Sequence, residues 1–127
     1  MAAEEFNNVQ LTSAGLRAFW NIAEIWQLTD QEQIKLLGIS SHSTLRRWRS
    51  GQIKRVGRDT LERISYILGI YKAIHMLMPS RERANAWMRR PNKAPFLNSS
   101  SALDRLAAGN VGDLYVVRQY LDAELAR

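Results

Sequence analysis

Apolar residues recur along this chain at spacings of three and four, and that periodicity restricts the fold more than any other feature. Leu16, Phe19, Trp20, Ala23 and Trp26 set the pattern, and no alternating run of useful length interrupts it anywhere. Such spacing gathers apolar side chains on one face of a helix, whereas a strand needs a period of two. The chain is therefore expected to be all-α. Thr29 followed by Glu32 has the spacing of a capping box, in which hydroxyl and carboxylate bind amides that a helix start leaves unpaired. The helix beginning there carries Ile34 and Leu37 inward. It stops at Gly38, which suits the left-handed conformation that ends helices, and Ile39 plugs the turn. Ser40 or Ser41 caps the next helix.

Two short helices joined by a glycine turn, in this order, make a helix-turn-helix. In the second helix, within Ser41-His42-Ser43-Thr44-Leu45-Arg46-Arg47-Trp48-Arg49-Ser50-Gly51, each residue advances about 100° around the axis. Leu45 and Trp48 then share the inner side, Ser43, Arg46, Arg47 and Ser50 the outer side, and His42 and Arg49 the flank. From His42 to Arg58 stand Arg46, Arg47, Arg49, Lys54, Arg55 and Arg58, six of 18 cationic residues, with no carboxylate before Asp59. A net charge of +6 adds a general attraction to polyanions. This geometry permits a reader of nucleic acid without requiring one, since a solvated helix face has the same composition.

After a basic loop containing Ile53, Val56 and Gly57, Asp59 and Glu62 are again spaced as a cap. Leu61, Ile64, Leu68, Tyr71, His75 and Met78 form the longest stripe, widened by Ile67, Ile70, Ile74 and Leu77. So broad an apolar face needs two partners, and is expected to join an N-terminal lobe, residues 1–78, to a C-terminal lobe, residues 79–127. Pro79 and Ser80 start a helix containing Ala84, Trp87 and Met88, which ends before Pro91 because proline disfavours helical geometry in its predecessor. Residues 91–100 read as irregular. Ser101 and Asp104 suggest a cap for a brief helix from Ala102 to Ala108, stopped by Gly109, and the last helix begins near Asp113. Its stripe is Leu114, Val117, Leu121 and Leu125, and Tyr115, Val116 and Tyr120 lie off it as a candidate partner surface.

Several function classes are excluded or disfavoured by what the sequence lacks. With no cysteine there is no disulfide framework, thiolate zinc site or cysteine nucleophile. His42 and His75 lie far apart with no carboxylate spaced to complete a metal or catalytic set. No metal, no cofactor and no catalytic residue is expected, and the chain is read as not an enzyme. No apolar run reaches 18 residues, and Met1-Ala2-Ala3-Glu4-Glu5 lacks the pattern of a secretion signal, so no membrane association and a cytoplasmic location are expected. Trp20, Trp26, Trp48 and Trp87 each fall in an apolar stripe and are read as core. Arg81, Arg83, Arg89 and Arg90 either extend a nucleic-acid surface or are simply solvated, the commoner state of such a helix.

Several segments together resemble a known family. They are Leu36-Leu37-Gly38-Ile39-Ser40, Thr44-Leu45-Arg46-Arg47-Trp48, Glu62-Arg63-Ile64 and Leu68-Gly69-Ile70-Tyr71 in the first half. In the second half they are Trp87-Met88-Arg89-Arg90-Pro91-Asn92, Leu103 to Gly109, and Asp113-Leu114-Tyr115-Val116-Val117-Arg118-Gln119-Tyr120-Leu121. In this order they resemble Xre-type antitoxins of bacterial type II toxin-antitoxin systems, a helix-turn-helix lobe followed by a small helical toxin-binding lobe. Ala102 departs from the pattern, standing where relatives often have proline.

The resemblance implies that the chain neutralises a cognate toxin, a RES-domain enzyme that consumes NAD, by blocking its active site, and that it represses the shared promoter. Operator DNA and the toxin are then its partners, and a homodimer within a toxin-antitoxin hetero-oligomer is expected because helix-turn-helix proteins bind paired half-sites. On this reading His42, Ser43, Arg46 and Arg47 face base edges, and Arg49, Lys54 and Arg55 grip phosphates. Tyr115, Val116, Tyr120, Leu121, Leu125 and Arg127 are the candidate toxin contacts. The alternative is a stand-alone helix-turn-helix regulator without a toxin.

Overall fold

The computed structural model describes residues 2–95, 97–98 and 100–127, with side chains from Thr12 onward. Met1 lies outside the described residues, as do Phe96 and Ser99 in the segment read as irregular. The described residues form α1 Ala2–Ile25, α2 Asp30–Leu37, α3 His42–Arg49, α4 Arg58–Leu77, α5 Arg81–Trp87, α6 Ala102–Leu106 and α7 Val111–Leu125, with no strand among them. The fold is all-α, as the periodicity requires.

Local chemistry sets most of the boundaries. At Thr29 the capping box closes in both directions, Thr29 N–H donating to Glu32 Oε1 at 2.9 Å and Glu32 N–H to Thr29 Oγ1 at 3.1 Å. Gly38 ends α2 with φ 71°, in the left-handed region open to glycine. Ser41, not Ser40, caps α3, and Ser80 and Ser101 cap α5 and α6. One expectation fails. The cap position before α4 is Gly57, which has no side chain to offer, and Asp59 lies inside the helix, accepting from Arg63 Nε at 2.9 Å. The last helix begins at Val111, and Asp113 accepts from Arg105 Nε at 2.9 Å.

Helix α4 is the spine, packing most extensively on α7 and next on α1, so its wide apolar face does have the two partners it needs. Ile67, Ile70 and Ile74 are its fully buried residues, joined by Phe19 and Leu16 from α1 and by Leu114 and Val117 from α7. The apolar stripes overreach the core at two points. Leu61 in the first turn of α4 and Leu125 at the end of α7 are each 37% exposed. No described helix is long and apolar enough to cross a membrane.

Candidate nucleic-acid and partner interfaces

The orientation of α3 follows from two side chains. Leu45 is 0% and Trp48 8% exposed, both inside the core, so one side of an eight-residue helix is fixed inward. At 3.6 residues per turn the opposite side must face out. His42, Ser43, Arg46 and Arg47 are all exposed there. Arg47 Nη2 donates to Thr44 Oγ1 at 3.1 Å, a local contact that leaves its other donors open, and Arg46 makes no ion pair with any described carboxylate.

Arg49 behaves differently. Its Nη2 donates to Asp30 Oδ1 and to Gln33 Oε1, each at 3.0 Å, and its guanidinium lies 5.9 Å from the centre of the Trp20 ring. Gln33 is in turn fixed by donating from Nε2 to Leu28 O at 3.0 Å. The residue expected on a phosphate therefore clasps α3 to α2 and α1. Beyond α3, Lys54, Arg55 and Arg58 are exposed and make no ion pair among the described residues. Ile53 and Val56 pack against the core and pin the loop that carries them. The result is a cationic surface that runs from α3 into the following loop and contains no carboxylate of its own.

On the other lobe, Leu114, Val117 and Leu121 turn inward from α7. Leu121, expected among the partner contacts, is 1% exposed and belongs to the core, because it lies about one helical turn beyond Val117 on the inner stripe. Tyr115 is 44% exposed, Val116 and Tyr120 are half-buried, and Leu125 and Arg127 are at the outer end. Arg127 pairs with Glu124 at 3.2 Å. The Tyr115 hydroxyl accepts from Gln119 Nε2 at 2.7 Å, and its ring meets Tyr66 edge-on at 5.8 Å. Tyr66 donates to Glu62 Oε2 at 3.1 Å. Burial first, and then this hydrogen bond, raise the Tyr66 phenol above the usual tyrosine range. An aromatic surface thus crosses from α7 onto α4, and sequence reasoning missed the α4 half.

Two arginines were also missed. Arg63 is buried, donating from Nη1 to Lys35 O at 3.1 Å and from Nη2 to Gly109 O at 3.0 Å besides its bond to Asp59. A signal existed, because Arg63 falls at helical spacing among the inward residues Thr60, Ile64 and Ile67. Arg89, read as solvated, binds Trp26 O, Gln27 O and Glu32 Oε1 from the end of α5. Neither histidine meets a ligand set: His42 is exposed, and His75 stacks 4.3 Å from Tyr71. Among the described residues no group of three His, Asp or Glu could hold a metal ion.

Two family models match the chain in tandem. Residues 7–69 match the antitoxin Xre-like helix-turn-helix domain, and residues 72–126 match the antitoxin Xre/MbcA/ParS C-terminal toxin-binding domain. Among curated proteins, the uncharacterized protein y4oB of Sinorhizobium fredii is 47% identical over 111 residues, covering 87% of this chain and 84% of that protein. No solved structure matches the chain significantly. The outward cations of α3 belong to the first matched domain and the aromatic surface of α7 to the second, and the chain belongs to the Xre-type antitoxin family.

Proposed function

We propose that this antitoxin neutralises a RES-domain, NAD-consuming toxin by covering its active site, and that it represses its own operon in the cytoplasm. One observation carries the reading: a single chain presents two separate outward surfaces, the cations of α3 and its loop, and the aromatic face of α7. Their chemistries differ as their partners would. Arginine suits paired hydrogen bonds with guanine and contacts to phosphate, and exposed tyrosines suit a protein interface.

In this reading His42, Ser43, Arg46 and Arg47 face base edges, Lys54 and Arg55 hold phosphates, and Arg49 positions α3 while its exposed edge lies near the DNA backbone. Tyr115, Val116, Tyr120, Leu125 and Arg127 meet the toxin, with Leu121 supporting them from below. We divide the chain into residues 1–78 and 79–127, with α4 ending the first part. Two chains pair so that two α3 helices reach successive half-sites. The chain contributes no catalytic step, and the RES identity of the toxin rests on the family resemblance.

Co-expression with the neighbouring gene tests the reading. The expected results are a stable complex of both chains, NAD depletion in cells expressing the neighbour alone, and recovery when this chain is added. A duplex from the shared promoter should shift in a gel at low salt. Absence of both the complex and the shift would remove the proposal.

A further inference from the structure

We infer that the loop between α5 and α6 is a second DNA-backbone contact, its cations Arg90 and Lys93 binding phosphates that flank the site reached by α3. The inference rests on the DNA-binding reading above and extends it into the half of the chain that matches a toxin-binding domain.

Arg89 ties the end of α5 to the start of α2. Its Nη2 donates to Gln27 O at 2.8 Å, to Trp26 O at 3.1 Å and to Glu32 Oε1 at 3.3 Å, and its Nε to Trp26 O at 3.3 Å. All of these acceptors lie at the entry to α2, the helix that crosses the DNA backbone in a helix-turn-helix complex. The first turn of α2 is therefore gripped twice, by Arg49 through Asp30 and by Arg89 through Glu32. Those two carboxylates are two residues apart, about 200° around the helix. Gln33, the other acceptor of Arg49, is about 100° from Glu32, so α3 and the residues just after α5 reach the start of α2 from different sides.

Electrostatics supports the same arrangement. Asp30 and Glu32 would repel phosphate if left bare, and each carries an arginine. Arg90 and Lys93 are exposed and make no ion pair among the described residues. The backbone that carries them is also held in place. Pro91 pairs with Ser101, Asn92 N–H donates to Ser100 O at 3.0 Å, and Ala94 N–H donates to Asn92 Oδ1 at 2.9 Å. Leu97 is buried beneath it. Cations on a backbone already ordered lose less freedom on binding than cations on a loose tail.

Anisotropy with the full chain tests this, using one duplex from upstream of its gene and one unrelated duplex, over a series of salt concentrations. The variants are R90A/K93A, K54A/R55A as a comparison, and R90K/K93R to keep the charge. R90A/K93A should weaken both duplexes alike and flatten the slope of log affinity against log salt by about 0.9 for every phosphate that a bound chain no longer neutralises. R90K/K93R should restore the slope. If R90A/K93A alters the melting curve, R90Q/K93Q is read in its place. Should R90A/K93A keep the wild-type slope while K54A/R55A flattens it, the inference falls and the DNA reading stands. Loss of toxin binding with the slope intact also overturns it, assigning the loop to the protein partner. A wild-type chain that binds neither duplex at low salt removes both.

Discussion

Arg46 and Arg49 sit three residues apart on one short helix and differ in what holds them. Arg46 is exposed without an ion pair, and Arg49 is tied to Asp30, Gln33 and the Trp20 ring. Replacing Arg46 with alanine should cost about 1–3 kcal/mol at the preferred operator if it reads a base. It should leave the melting temperature unchanged, and titration of matched and mismatched duplexes beside a thermal scan measures both. Arg49→Ala should instead weaken every duplex and lower the melting temperature, although its ion pair is too exposed for a large stability loss. Below these cations, Leu45→Ala should destabilise the fold by about 2–5 kcal/mol, because it empties a fully buried site. Urea unfolding gives that number, and a value near zero would mean that Leu45 does not orient α3.

At the scale of the helix, α7 separates an inner function from an outer one. Leu114, Val117 and Leu121 hold it to α4, so cutting the chain before Leu121 would damage the core along with the partner surface. A double substitution on the outer side, Tyr115→Ala with Val116→Glu, is the cleaner experiment. It should abolish protection in co-expression while the melting temperature and operator affinity stay near wild type, and continued protection would refute the toxin role of this face. Helix identities and most caps were legible in the sequence because they depend on neighbours three or four residues away, as at Thr29 with Glu32 and Ser101 with Asp104. The outward set on α3 was legible for the same reason, once Leu45 and Trp48 fixed its inner side. What failed is not written in helical spacing. Asp59 has a cap's spacing but lies inside the helix and pairs with Arg63, and periodicity placed Leu61 and Leu125 on the apolar stripe without revealing that each stays 37% exposed. The acceptors of Arg89 are carbonyls some sixty residues earlier, which no local pattern encodes.

At the scale of the molecule, the two lobes are joined by more than the continuous α4. Arg63 on that helix ties the end of α2, through Lys35 O, to the turn before α7, through Gly109 O. It also explains why Gly38 is required twice, by its φ of 71° and because a Cβ there would stand 2.5 Å from Arg63 Nε. Arg63→Ala would remove the side-chain donor from Gly109 O, leave Lys35 O with only the bond from Gly38 N–H at 3.3 Å, and leave Asp59 without its cation. Each carbonyl left unsatisfied costs about 1–3 kcal/mol. Arg63→Lys should recover little, since an ammonium on a shorter stem lacks the planar fork that reaches three acceptors in different directions. Denaturation followed by tryptophan fluorescence, with Trp20, Trp26 and Trp48 in the first lobe and Trp87 in the second, reports on both lobes at once. The wild type should unfold in one transition seen identically by fluorescence and circular dichroism. In Arg63→Ala the midpoint should fall, and operator affinity should fall with it because the C-terminal end of α2 is then held only by Thr60 Oγ1 donating to Leu37 O among the described side chains. An unchanged midpoint would mean that the Arg63 bonds contribute nothing to the coupling between the lobes.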